Sequence, residues 1–311
     1  MSAVALGAAA PPAGRRRSGG GLVYIVAIGL PAAFFVAFFL GPLLYLVLLG
    51  FWRVENFSIV TSFSFGNYRD IAANFWRGSS YGLAIAQTLY VAATTAILAV
   101  ALTYPMALAI VFSVPERWQR LVILLSVAPF WTSYILRVYA WQVLLARRGV
   151  VNGALAYIGL GDWQVNILYT QIATRIGLLH FLAPILVIIL YVSIRNVDPT
   201  LIEASRQIGA TRIQTLGRVI LPMTRTGVIL SLSFAALVAC GDVLSGSILG
   251  GGAGDSALGK APLFANMIVR AYASSTNLPH TAALAIVLIL VMIALLLIGF
   301  AASERTKIVT K

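Results

Sequence analysis

Charged residues are scarce in this chain. Asp, Glu, Lys and Arg make up 10% of its 311 residues, whereas an ordinary soluble domain carries about 25%. So few ionised side chains cannot cover a water-exposed globule, and 60% of the residues are hydrophobic, with a mean hydropathy of +0.94. A disordered chain is excluded on the same grounds. The one cysteine, Cys240, lies in an apolar run, which excludes a disulfide scaffold. The two histidines, His180 and His280, are far apart, with no HExxH, no paired cysteine and no cluster of acids, so no metal site is expected. Acidic residues number nine against 22 Lys and Arg, a net charge of +13. In a soluble domain that excess would suggest nucleic acid. Here the basic residues lie between apolar stretches, where they set membrane orientation, and no nucleic-acid partner is expected.

What the chain has is long apolar runs. A helix needs roughly 20 apolar residues to cross the hydrocarbon core, because backbone left unpaired in lipid is costly. Six stretches qualify, at about 22–51, 82–112, 121–145 (interrupted by Arg137), 167–194, 227–249 (containing Asp242) and 281–302. The expected fold class is therefore an all-α integral membrane protein with six transmembrane helices. They occupy residues 21–302, between a flexible Ala/Pro/Gly tail at 1–20 and a short tail at 303–311. Arg15, Arg16 and Arg17 precede the first run as in a signal peptide, but the run is about twice the length of a signal core and lacks an evident cleavage site. With six spans, thirteen Lys and Arg fall in one set of loops and eight in the other, Arg137 left aside. The positive-inside rule then places both termini in the cytoplasm.

The most polar internal segment lies between the fourth and fifth spans, at 195–225, and reads as two short helices. Asp198 suits an N-cap and Pro199 the first helical position. Gly209 suits the positive φ of a helix C-terminus. Thr211 with Gln214 forms a capping-box pattern opening the second helix, which Pro222 limits or bends into the next span. Spacing puts Leu201, Ala204, Ser205 and Ile208 on one face of the first helix, with small residues at its centre. By periodicity alone, two amphipathic helices lying on the bilayer surface fit equally well.

Glu203-Ala204-Ser205, three residues, Gly209, nine residues, Val219, one residue, then Leu221-Pro222 resembles the EAA loop of ABC-importer permeases, usually E-A-A-x3-G-x9-I-x-L-P. It departs from that pattern by Ser205 for Ala and Val219 for Ile. Within that family the chain resembles the spermidine/putrescine-type permeases. The third-span block runs from Ala128 to Trp141 and on to Gly149 and Asn152-Gly153. The fifth-span block is Gly241-Asp242 leading to Leu249-Gly250-Gly251, and the sixth span opens at Asn277-Leu278-Pro279.

The resemblance implies an ABC-importer permease fold whose cytoplasmic loop is a coupling helix docking on an ATPase. Leu201, Glu203, Ala204, Ser205, Ile208, Gly209 and Ala210 would form that interface, with Glu203 fixing local geometry by accepting a bond from a nearby Arg or backbone N–H. It further implies two ATPase subunits that bind ATP and Mg, a second permease chain (identical or homologous), an extracytoplasmic solute-binding protein and a bacterial inner-membrane location among lipid. No cofactor is expected in this chain. The solute implied is a polyamine; amino-acid-like, opine-like and aminophosphonate solutes belong to the same branch.

A charge within a span is costly and faces the protein interior or a water-filled path. Arg137 and Asp242 have two readings: they pair across the third and fifth helices, or Asp242 lines the solute path near the midplane. Trp131, Tyr134 and Tyr139 offer π-faces to an ammonium on that path; equally, such aromatics serve as interfacial anchors. Gly254 to Ala261 approaches a phosphate-loop pattern but lacks the hydroxyl after Lys260 and a preceding strand, and reads as an outer Gly-rich loop. ATP hydrolysis is therefore assigned to a partner chain. An ion-coupled secondary transporter would need repeat halves and several midplane carboxylates. No repeat is evident and one intramembrane acid is few; a membrane-embedded enzyme lacks any catalytic set.

Overall fold

The computed structural model describes residues 20–76, 80–161, 164–251, 263–274 and 277–308. The expected N-terminal tail up to residue 19, the phosphate-loop-like stretch Gly254 to Ala261 and the last three residues lie outside them. The chain divides after Leu48 into two compact units.

The first unit is built on α1 (Gly20–Phe35), a π-turn (Val36–Leu40) and the start of α2 (Gly41–Gly50). Its aromatic side chains stack along the rod, Phe34 on Phe38 at 4.7 Å and Phe35 on Phe39 at 4.8 Å. The Gly41 N–H bonds back to the Val36 carbonyl, one residue further than in an α-helix. That wider turn comes just before Pro42, whose ring would otherwise press on the carbonyl four residues back.

The second unit opens with a hairpin, β1 (Arg53–Glu55) and β2 (Ser58–Val60), paired antiparallel with Arg53 opposite Val60. Next come α3 (Gly66–Trp76), α4 (Ser80–Ser113), α5 (Glu116–Val127), a 3₁₀ turn (Ala128–Trp131), α6 (Tyr134–Leu145) and α7 (Val150–Tyr157). After α8 (Gln171–Arg195), the loop helices α9 (Pro199–Gln207) and α10 (Arg212–Thr215) lead through a second π-turn (Leu216–Ile220) into α11 (Leu221–Gly241). The described residues end with α12 (Leu244–Ile248), α13 (Phe264–Ser274) and α14 (Leu278–Ile308). Among the described residues, five helical segments are long and apolar enough to cross a membrane, or six when a bent pair counts as one. The chain is thus a multi-pass helical membrane protein.

The core of this unit is the packing of α4, α8 and α11, with α14 against α11. One face of α4 is a stripe of small buried residues, Ala92, Ala96, Ala99, Thr103 and Ala107, at helical three/four spacing. Such a stripe lets neighbouring backbones approach. Against it lie Leu178, Leu182, Leu186 and Leu190 of α8, all fully buried, and Ala235 and Ala239 of α11. The buried Thr103 hydroxyl donates to the Ala99 carbonyl at 2.7 Å. Where α8 meets α11, Gly227 faces Ser193 closely enough that a Cβ on the glycine would lie 2.2 Å from Ser193 Oγ.

Two spans differ from the sequence reading. The third is not continuous over 121–145: Glu116–Trp131 and Tyr134–Tyr157 meet at 86°. Pro129 has no N–H for the helix ladder, and its carbonyl instead takes the Thr132 N–H and hydroxyl, at 3.2 and 2.7 Å. The fifth does not run over 227–249. It occupies Arg212–Gly241, so the second half of the expected loop is its first turns, and it stops at Asp242, which is extended. Nor does Pro222 limit a separate second helix. The Leu221 N–H bonds to the Leu216 carbonyl across the π-turn, so the rod continues through the proline, the same device as at Pro42.

Replacing Gly227 by Val is expected to force α8 and α11 apart and to lower stability by about 1–3 kcal/mol. Thermal unfolding of the purified protein in detergent measures this, and Ser193→Gly in the same chain should restore part of the loss.

Candidate functional site

The loop after α8 is closed at every end by local hydrogen bonds. The Asp198 carboxylate accepts the Thr200 N–H at 2.9 Å and starts α9, with Pro199 at its first position. Hydrogen bonds from Thr200, side chain and backbone, hold that carboxyl below the usual range. At the other end Gly209 takes φ +81°. Its N–H reaches the Arg206 carbonyl, and the Ala210 N–H reaches Ser205 O at 3.1 Å. This paired closure needs the left-handed residue between. Thr211 and Gln214 then form a reciprocal capping box.

Two side chains seat α9 on the membrane bundle. Ile202 is buried with Ile110, Ile194 and Ile220. Ser205 Oγ donates to the Ile202 carbonyl at 2.8 Å and lies 2.9 Å from Thr215 Oγ1. Ser205 therefore does not share the open face expected for it, because its hydroxyl ties α9 to α10. The outward residues are Leu201, Glu203, Ala204 and Ile208, the last 86% exposed, joined by Ile213 at 82%. Glu203 forms no hydrogen bond or ion pair with a described residue, so its expected bond to an Arg or backbone N–H is not made.

A network that the sequence reading passed over lies where the loop leaves the bundle. Arg195, at the end of α8, pairs with Glu116 at the start of α5. Arg195 Nη1 also donates to Gln119 Oε1 and to the Tyr191 hydroxyl, each at 2.7 Å. Tyr191 in turn donates to Gln119 Oε1 at 2.9 Å. Buried Gln119 completes the set by donating to the Val111 and Val114 carbonyls at the end of α4. The spacing of Glu116 and Gln119 on one face of α5 is the signal the sequence carries for this network.

Inside the bundle, Asp242, Tyr134 and Arg137 come together at the two helix breaks. Asp242 Oδ2 accepts the N–H groups of Ser245 and Gly246 at 3.0 and 3.3 Å, holding the start of α12. Its Oδ1 accepts the Tyr134 hydroxyl at 2.7 Å, and that hydroxyl lies 2.6 Å from Ser245 Oγ. No Arg137–Asp242 ion pair forms. Tyr134 sits three residues before Arg137 on the same face of α6 and takes the carboxylate first. The Arg137 guanidinium, in a residue 9% exposed, lies instead among the rings of Phe130, Tyr134 and Phe181 at 5.3–5.8 Å. Its Nε and Nη1 are buried without an acceptor. Trp131 is 80% exposed and Tyr139 half exposed, outside this buried cluster. His180 accepts Trp141 Nε1 at 3.0 Å, and no group of three possible metal ligands occurs among the described residues.

Comparison with known proteins places the chain. It is 31% identical over 224 residues to the spermidine/putrescine transport system permease protein PotB of Haemophilus influenzae, covering 72% of this chain and 76% of that one. The chain belongs to the family of ABC-transporter permeases named for spermidine/putrescine transport. The PotB protein of Salmonella typhimurium (strain SL1344) is 34% identical over 190 residues, 61% of this chain, and the match spans 64% of the relative's length. The fold is that of a permease as well. A crystal structure of a bacterial alginate ABC transporter, in complex with alginate pentasaccharide-bound periplasmic protein, matches with a TM-score of 0.71 at 19% identity. That match covers 91% of this chain and 94% of the other. No protein-family model matches the chain. In this fold the outward residues of the loop helices are exposed, whereas the Asp242 cluster is buried in the bundle.

Tyr134→Phe is expected to cost about 1–3 kcal/mol by leaving Asp242 Oδ1 without its hydroxyl donor. Tyr139→Phe should change stability by less than about 0.5 kcal/mol. Thermal unfolding of both variants in detergent separates them, and equal losses would remove the hydroxyl from its role at Asp242.

Proposed function

We propose that the chain is the transmembrane permease subunit of an ABC importer in the bacterial inner membrane, carrying a polyamine of the spermidine/putrescine class. The relatives' names support the solute class. The observation that carries the coupling role is the α9 loop. It is stiffened by caps at both ends, rooted in the bundle through Ile202, and open outward at Leu201, Ala204, Ile208 and Ile213. Exposed apolar groups on a rigid projection suit a groove in another protein. The partner is an ATPase pair that binds ATP and Mg and hydrolyses ATP. Because Ile202 packs among residues of α4, α8 and the π-turn before α11, a shift of α9 is passed to three membrane helices at once.

Six spans make half of a pathway, so a second permease chain, identical or homologous, completes it, and an extracytoplasmic binding protein delivers the solute. ATP binding draws the two loops together and opens the halves outward; hydrolysis resets them. The excess of Lys and Arg on the loop side, thirteen against eight, supports cytoplasmic termini. Asp242, whose oxygens accept three bonds, holds the broken helix, which supports a structural role for it.

Arg137 supports a second reading of the solute. A buried guanidinium with unfilled donors repels a polycation and suits a carboxylate or phosphonate. Amino-acid-like, opine-like or aminophosphonate solutes carry such a group. Uptake of labelled spermidine by the assembled transporter in vesicles, with each solute class as competitor, decides between the two. Competition by the acidic solutes alone would displace the polyamine.

Ala204→Trp and Gly209→Val are each expected to lower ATPase co-purification and ATP-driven uptake at least tenfold, with membrane insertion unchanged. The first blocks the docking face; the second strains the left-handed turn. Normal uptake by both variants would end the coupling role. Uptake by the purified chain alone down an ion gradient would end the importer reading itself.

A further inference from the structure

A groove of about 630 Å³ opens between the loop end of α4 and the loop helices. Its wall is apolar: Leu108 and Phe112 come from the last turns of α4, and Leu216 and Ile220 from the π-turn before α11. The polar lining comes from the loop and includes Arg206 and Arg212, both exposed. Neither arginine is ion-paired to a described residue, and no carboxylate of a described residue lines the groove. Phe112, at the mouth, is itself half exposed.

The level of the groove follows from its elements. α4 belongs to an apolar span ending at Ser113, and Arg212 begins the span that ends at Gly241. The groove thus sits where two spans leave the hydrocarbon, with apolar surface on the membrane side and two guanidinium groups on the loop side. A soluble anion would use the arginines and leave the wall bare. An apolar helix would cover the wall and leave the arginines unmatched. A molecule with a phosphate at one end and a hydrocarbon chain at the other satisfies both. Guanidinium forks match phosphate oxygens in geometry as well as charge, and basic residues just outside a span attract anionic lipid.

We propose that this groove binds an anionic phospholipid, its phosphate held by Arg206 and Arg212 and its chains lying along Leu108 and Phe112. The bound lipid braces α9 against the end of α4, so the position of the loop depends on the lipid around it. This holds whichever solute the permease carries.

Native mass spectrometry of the assembled transporter containing the full chain tests it, with dioleoyl phosphatidylglycerol and dioleoyl phosphatidylcholine as probes. Two arginines beside an anionic headgroup correspond to a preference on the order of tenfold for phosphatidylglycerol. The wild type is expected to show that preference, Arg206→Gln with Arg212→Gln to lose it, and Arg206→Lys with Arg212→Lys to keep most of it. The lysine pair separates loss of charge from loss of folding. Equal retention of the two lipids by the wild type, or an unchanged preference in the glutamine pair, would overturn the proposal. Displacement of the lipid by equimolar inorganic phosphate would make the site one for free phosphate. Lipid found on the permease pair stripped of its ATPase but missing from the assembled transporter would give the groove to that subunit instead; either result also overturns the lipid assignment.

Discussion

Close approach of α4, α8 and α11 is the constraint on which the rest of the structure depends. In a bilayer no hydrophobic effect drives helix to helix, since lipid tails are as apolar as leucine; contact distance does that work. The small stripe from Ala92 to Ala107 and the bare backbone of Gly227 bring three backbones near enough for dense packing. Both the α9 loop and the Asp242 stretch hang on this triad. At one end it fixes Ile110, Ile194 and Ile220, the seat of α9; further in, it orients the stretch in which α11 gives way to Asp242.

Irregular backbone is tolerated around this triad only where side chains satisfy it. The break after α11 carries three bonds to the Asp242 carboxylate, and Asn266 Nδ2 donates to the Val243 carbonyl at 2.9 Å. The break after α5 uses the Thr132 hydroxyl. At Pro42 and Pro222 the solution is different: a π-turn ending two residues before the proline widens the helix locally and keeps the rod intact. Asp242 thus spends its charge on local structure, while Arg137 is held by ring faces alone and keeps donors to spare.

The loop is joined to the bundle in a graded way. Caps make α9 rigid, Ile202 and Ser205 root it, and the Arg195, Glu116, Gln119 and Tyr191 network ties its stem to α5 and α4. Exposed pairs such as Arg195–Glu116 add little by themselves. The buried Gln119 amide gives the network direction, because it joins two helices through one side chain.

Several features were determined by sequence alone, because their causes are local. Apolar length sets the spans, and composition sets the membrane class. Asp198, Gly209 and the Thr211–Gln214 pair set the ends of the loop helices through bonds within a few residues. Tertiary structure decided what depends on distant partners. Ser205 reads as part of an open small-residue face until Thr215 is placed beside it. Pairing of Arg137 with Asp242 stands as one of two readings until the Tyr134 hydroxyl is found on the Asp242 carboxylate. The third and fifth spans read as continuous because a single charge in each leaves enough apolar length to cross, whereas their geometry follows from Pro129 and from side chains more than a hundred residues away. Hydropathy counts side chains and cannot register a backbone break whose polar groups are satisfied from another helix.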